Sequence, residues 1–293
     1  MKRIFLILTL TTGVAWGSSY PSVIPFVIPT ALPQAIPTPA GANLFYGWDL
    51  DGSDFGLVTG ATHSGATDVY VSCWLKPTLN NSFIWSHTET DSASSDNTGI
   101  QFGYLSNGRY NFTIGGVSAS TGLTPLSGQA DLWTFVAFFY DASAGRVFYN
   151  AFLQSGSWIS GSGAWSDFAN NAAWVDAATA NDIEHVGAGI TAAGGATAGI
   201  NAEIVNFRVD ITGSPMPTDL LAASLANPID GGAAELFASF RPSIGTQVPA
   251  AQTARDETVN GHTIQRGATS VASTDDPTWT TAYIEITSTG PKR

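Results

Sequence analysis

The chain has 293 residues, 44% hydrophobic and only 12% charged, with a formal net charge of −12. So apolar and aromatic a composition argues against disorder, and so little charge demands a surface built from Ser, Thr, Asn, Gly and Ala, as on secreted proteins, adhesins and virion shells. The 11 basic residues form no cluster, which argues against nucleic acid and against an anionic membrane as partners.

Met1-Lys2-Arg3, an apolar run over residues 4–16 and the small residues Ala15 and Gly17 follow the pattern of a secretory leader, with a cut expected after Gly17. The run falls short of the ~20 residues that cross a bilayer. Residues 18–42 form a second region. Pro21, Pro25, Pro29, Pro33 and Pro37 recur every four residues, and Ile24, Ile28, Leu32 and Ile36 each precede a proline. This spacing forbids helix and central strand. An extended arm is expected instead, ~53 Å long from Pro21 to Pro37 at ~3.1 Å per residue. It reads equally as a stiff linker and as an apolar arm docked along another chain. Residues 43–293 are expected to form one domain, large enough to bury a core without disulfides or metal.

Within that domain, residues 69–76 alternate Val69, Val71, Cys73 and Leu75 against Tyr70, Ser72, Trp74 and Lys76. Strands are also expected at 100–105 and 110–114, and an almost unbroken apolar run at 133–140 predicts a strand covered on both sides. A turn over 141–145, with Gly145 at positive φ, returns the chain through 146–152 as a hairpin. Further strands are expected at 202–209, 236–240, 262–266 and 282–287. A short helix fits 218–226, capped by Thr218 and followed by Pro228. Many short strands, Gly-rich turns and almost no helix predict an all-β, two-sheet antiparallel sandwich. Cys73, the lone cysteine, leaves no internal disulfide and is expected to be a buried, inert thiol.

Several segments resemble, in order, the motifs of concanavalin A-like domains of the laminin-G-like jelly-roll type. Trp48-Asp-Leu-Asp-Gly-Ser-Asp-Phe55 is similar to the opening strand and turn of that family. Val71-Ser-Cys-Trp-Leu-Lys-Pro77 is similar to its hydrophobic-S-x-W-hydrophobic-K-P strand. Trp133-Thr-Phe-Val-Ala-Phe-Phe-Tyr-Asp141 with Gly145-Arg-Val-Phe-Tyr149 resembles its long hairpin. Glu203-Ile-Val-Asn-Phe-Arg-Val209 resembles its late strand, and Asp256-Glu-Thr-Val-Asn-Gly-His-Thr-Ile264 its D-x-S-G-N-G segment. Two positions depart from the pattern: Thr134 stands where His is usual, and Asn206 where Asp is common. The resemblance implies a jelly-roll sandwich.

Four groups of residues are candidates for chemistry. Retaining glucanases of this fold class need paired carboxylates on one strand. Glu203 offers one without a partner, and Glu184-His185 and Asp256-Glu257 lack the alternation that would place two on one face, so no catalytic residue is expected. Asp49, Asp51 and Asp54 flank Gly52 and read either as oxygen ligands for Ca²⁺ or as a turn whose side chains bond their own backbone; no other metal or cofactor is expected. His63, His87, His185 and His262 lie far apart, at expected turns or strand edges, and read as structural. The stretch 154–199 is expected to be a long loop, carrying Trp158, Trp165 and Trp174 among Gly, Ser, Ala and Asn. These tryptophans suit the faces of sugar rings or seal one end of the core.

The function expected from these features is binding without catalysis. One reading is a structural or adhesive phage virion protein, a capsid- or tail-associated decoration protein, held to other virion proteins by its proline arm. Another is an exported bacterial surface protein that binds glycans after losing its leader; a glycoside hydrolase is the third. Analogy with virion jelly rolls implies a homo-oligomer.

Overall fold

The computed structural model describes residues 43–59, 68–78, 80–89, 99–114, 117–120, 130–143, 145–154, 164–167, 182–190, 196–211, 225, 236–242, 253–256, 258, 261–267 and 276–284. The leader-like segment, the proline arm, Trp158, Trp174, His63 and the expected helix at 218–226, apart from Leu225, lie outside them.

Every element among the described residues is a strand. In chain order these are β1 (Asn43–Asp51), β2 (Gly56–Thr59), β3 (Val69–Thr78), β4 (Ser82–Glu89), β5 (Ile100–Tyr104) and β6 (Tyr110–Ile114). There follow β7 (Val117–Ser120), β8 (Thr134–Asp141), β9 (Arg146–Leu153), β10 (Ala164–Asp167), β11 (Asp182–Val186) and β12 (Gly189–Ile190). The last six are β13 (Ala196–Thr197), β14 (Asn201–Asp210), β15 (Leu236–Pro242), β16 (Thr253–Asp256), β17 (Thr263–Arg266) and β18 (Thr278–Ile284).

All pairings are antiparallel. One sheet runs β10-β9-β8-β3-β14, with β1 and then β18 beyond β14; the other runs β16-β17-β2-β11-β4-β5-β6-β7, and β15 bridges the two. The inner faces of the two sheets meet in one aromatic layer. Phe138 of β8 stacks on Phe102 of β5 at 5.3 Å and 6°, and Tyr110 of β6 meets Phe138 edge-on at 5.0 Å. The alternation of β3 sorts as expected: Val69, Val71, Cys73 and Leu75 enter this inter-sheet core. Burial pushes the Cys73 thiol far above the ordinary range, so it stays protonated and inert.

The outer face of the first sheet carries a second apolar layer, in which Tyr70, Trp74, Phe135, Phe139, Phe148 and Phe152 are all buried. The departure at Asn206 explains part of its cover. β14 pairs with β3 along one edge, while its other edge passes from β1 (at Asn201–Val205) to β15 (at Phe207–Val209). At the changeover the β3–β14 register shifts between Val205 and Arg208, and Asn206 takes a φ of 53°, a left-handed conformation that Asn tolerates better than most side chains. Beyond this point β1 and β18 continue as a two-stranded ribbon. Its residues Phe45, Ala282 and Ile284 join Trp74, Phe135 and Phe152 in the outer layer. Leu225 packs against the same layer.

The structure differs from the sequence reading in several places, and β2, β7 and β16 are strands that the reading did not expect. The stretch 154–199 is not one loop, since it contributes β10, β11, β12 and β13. β4 was not anticipated, because its polar residues Ser82, Ser86 and His87 are buried and mask its alternation. His87 and His185, expected at turns or strand edges, are buried within strands: His87 stacks on Trp85 at 6.3 Å, and His185 packs against Phe55 at 4.8 Å. One other expectation matches. Gly145 has a φ of 62° in the β8–β9 turn. The Asp256 carboxylate organises the β16–β17 turn, accepting from the Thr258 amide (2.9 Å), the Thr258 hydroxyl (2.8 Å) and the His262 amide (2.9 Å).

His185 links this packing to pH. Its burial depresses the imidazole pKa below the ordinary 6.5, against smaller upward effects of the Gly189 carbonyl and the Glu184 charge. The unfolded chain therefore binds the proton more readily, so stability rises with pH through the window below 6.5 and is lost as the pH falls through it. Urea midpoints measured from about pH 5 to about pH 8 should climb more steeply for the native protein than for His185→Gln. Equal slopes would show that His185 does not contribute.

Candidate functional site

At the end of the first sheet opposite the aromatic layer, its outer face becomes polar and open. The register places Thr278 of β18 beside Asp49 of β1, Asp49 beside Glu203 of β14, and Glu203 beside Lys76 of β3. Directly opposed antiparallel residues have Cβ atoms about 4.5–5.5 Å apart, so these four side chains form a continuous row across four strands. Asp49 and Thr278 are exposed, and Lys76 and Glu203 are half-buried.

The row is held by a small network. Lys76 Nζ donates to Glu203 Oε1 at 2.9 Å, and Thr280 Oγ1 donates to Glu203 Oε2 at 3.2 Å. The hydrogen bond to Glu203 is the largest of the effects that raise the lysine pKa above its ordinary value. Asp49 differs from its neighbour: among the described residues its carboxylate takes part in no hydrogen bond. Partial burial, and then the Glu203 charge, raise its pKa above the ordinary 3.8. β18 is fixed at this end by Arg266, whose Nε donates to the Pro277 carbonyl at 2.8 Å and whose guanidinium lies 5.4 Å from the Trp279 ring centre.

Beyond Lys76 the row runs into the turn before β8. Exposed Asp131 acts electrostatically on Lys76, and its amide donates to the Pro77 carbonyl at 3.2 Å. Its φ of 62° places it in the left-handed region, a backbone state that concentrates at functional sites. Leu132, next in the chain, is 48% exposed, a high value for a large apolar side chain. Trp133 follows, half-buried, packed against the edge of the outer aromatic layer. Thr134 then turns inward and is fully buried, its hydroxyl donating to the Leu132 carbonyl at 3.2 Å. The result is an indole at the end of a row that carries carboxylate acceptors, a lysine donor and threonine hydroxyls.

The residues singled out in the sequence are distributed differently. Asp49, Asp51 and Asp54 do not converge. Asp49 joins the row, while the other two organise the β1–β2 turn: Asp51 Oδ1 accepts from the Ser53 amide (2.9 Å) and hydroxyl (2.7 Å), and Asp54 Oδ2 accepts from the Asp51 amide (3.1 Å). The Ser53 bonds lower the Asp51 pKa. These bonds are those of a turn whose side chains bond their own backbone; among the described residues no three His, Cys, Asp or Glu side chains are grouped to hold a metal ion. Trp165 lies in β10, in register with Phe148 of β9. Glu203, which shows no carboxylate partner along its own strand, acquires one across the sheet in Asp49. The available signal for Trp133 was its place at the head of the family-like hairpin.

No family model and no curated protein matches this chain. Solved structures do. A heptameric SAP-like pentraxin from Limulus polyphemus aligns at a TM-score of 0.38 and 15% identity, over 57% of this chain and 75% of that one. The CBM40 domain of a Ruminococcus gnavus IT-sialidase aligns at 0.41 and 12%, over 58% and 92%. The extracellular region of zebrafish Gpr126/Adgrg6 aligns at 0.44 and 16%, over 63% of this chain and 23% of that one. Likenesses of this size carry neither a family nor a ligand to this chain; the sandwich rests on its own strand pairing and packed faces.

Proposed function

We propose that this protein binds carbohydrate without cleaving it, through the row Asp49, Glu203, Lys76 and Asp131 and the adjoining Trp133. The observation that carries this reading is a half-buried indole, Trp133, one residue beyond the Thr134–Leu75 pair and so next to Lys76, at the end of a partly exposed row of carboxylates, an ammonium and threonine hydroxyls. Sugar rings present apolar C–H faces with polar edges, and such a surface offers a counterpart to both. In the native setting we propose attachment to a larger assembly, such as a virion, through the proline-spaced segment 21–37. The apolar repeat of that segment supports this; intact mass of the native protein tests it, because loss of about 17 residues would instead fit an exported surface protein.

One observation favours a second reading, hydrolysis. Asp49 and Glu203 are directly opposed on paired strands, so two carboxylates face one surface, as the chemistry of retaining glycosidases requires. Calorimetric titration with a panel of oligosaccharides, followed by an assay for new reducing ends, separates the two. Binding that weakens about ten-fold or more in Trp133→Ala, the loss of one aromatic contact of roughly 1–3 kcal/mol, with no reducing ends released, is the expected result. Reducing ends that vanish in Asp49→Asn would replace the binding reading with the catalytic one.

A further inference from the structure

We infer that this row discriminates among glycans by charge, preferring amino sugars, accepting neutral ones and rejecting acidic ones. This inference rests on the carbohydrate-binding reading and narrows its ligand class.

Three carboxylates, of Glu203, Asp131 and Asp49, act on the single ammonium of Lys76. That ammonium is already engaged, 2.9 Å from Glu203 Oε1. Among the described residues Lys76 is the cation whose charge acts on Asp49. A sugar carboxylate arriving here meets a surplus of negative charge and, among the described residues of the row, one cation that is already paired with Glu203. It must displace Glu203 from Lys76 or accept the repulsion, and an unmatched charge of this kind is how sites reject a competing ligand. A sugar ammonium has the opposite fate. Asp49 is exposed, carries no hydrogen bond among the described residues, and already bears the repulsion of Glu203. An ammonium placed between the two carboxylates relieves that repulsion. The exposed hydroxyl of Thr278 next to Asp49 can serve a neutral sugar at the same position.

The test titrates the full chain with three oligosaccharides of equal length: a glucose oligomer, the matching glucosamine oligomer at mildly acidic pH where its amines are charged, and an oligouronate. The glucosamine oligomer should bind about five-fold tighter than the glucose oligomer, the scale of one exposed ion pair, and this advantage should shrink as salt is raised. The oligouronate should bind at least as much weaker. Asp49→Asn should erase the amine preference, so that the glucosamine and glucose oligomers bind the variant with equal affinity. Lys76→Gln, which frees Glu203, should enlarge the preference, so either variant reports even if the other fails to fold. Equal affinity for all three sugars, or tightest binding of the oligouronate, would overturn the charge selection and leave carbohydrate binding standing. Absence of binding to all three would overturn both.

Discussion

Phe138→Ala is expected to destabilise the protein by about 3–5 kcal/mol, the range for truncating a buried aromatic residue. Phe138 is 1% exposed and lies where the two sheets meet. It stacks on Phe102 and takes the edges of Tyr110 and Phe112 at 5.0 and 5.8 Å. Removing the ring withdraws a shared neighbour from three aromatic residues of the opposite sheet. β strands cannot close the gap without breaking ladder bonds, so most of it persists as a cavity. The guanidinium midpoint should fall with an unchanged slope. Phe139, the next residue, faces the outer layer and is 9% exposed, so Phe139→Ala should cost less. A Phe138→Ala shift below about 1 kcal/mol, typical of peripheral positions, would show that the sheets do not pack as described.

Gly47→Ala should cost about 3 kcal/mol, the upper end for forcing extra atoms into packed structure, and should weaken glycan binding as well. A Cβ at Gly47 would lie 2.3 Å from the Ile204 carbonyl oxygen and 2.3 Å from Val205 Cγ1. The first is backbone of the paired strand and has no rotamer to retreat into. β1 must therefore move away from β14 where it passes the Asn206 bulge. Asp49, two residues on, would lose its position opposite Glu203. Gly145 is the control: a Cβ there meets nothing within 4 Å, and only its φ of 62° opposes alanine, at roughly 1–2 kcal/mol. Gly145→Ala should leave binding intact. Val205→Ala added to Gly47→Ala should restore little, because it removes the clash with the side chain and leaves the clash with the carbonyl. Full rescue by Val205→Ala would place the obstruction in the side chain alone.

The sandwich was legible wherever polarity alternates with a clear inside and outside. β3 and β6 follow from period-two patterns, because burial of one face imposes that period locally, and the β8–β9 hairpin from an almost unbroken apolar run and one glycine turn. β4 and β11 were not legible. Glu184 sits in β11, and its carboxylate accepts from Trp85 Nε1 at 2.5 Å; it is 1% exposed, in register with His87, which is fully buried. Polar residues satisfied by partners distant in the chain break the alternation, and no local pattern announces those partners.

The row containing Asp49 was legible only as separate residues. Asp49 reads as part of an acidic turn, Lys76 as the end of a strand, and Glu203 as a carboxylate without a partner. Their meeting depends on β14 lying between β3 and β1, and on a register set by packing of the whole sheet. The sequence by itself determined an all-β chain, its sparse charge, its lone inert thiol and most of its long strands, because those follow from composition and from contacts between near neighbours. Tertiary structure alone decided which strands became adjacent. A glycine and an asparagine at one crossing, Gly47 and Asn206, let β1 leave β14 for the outer layer after aligning Asp49 with Glu203. Cross-strand adjacency is a long-range property, so the candidate site came into view only once the sheet was assembled.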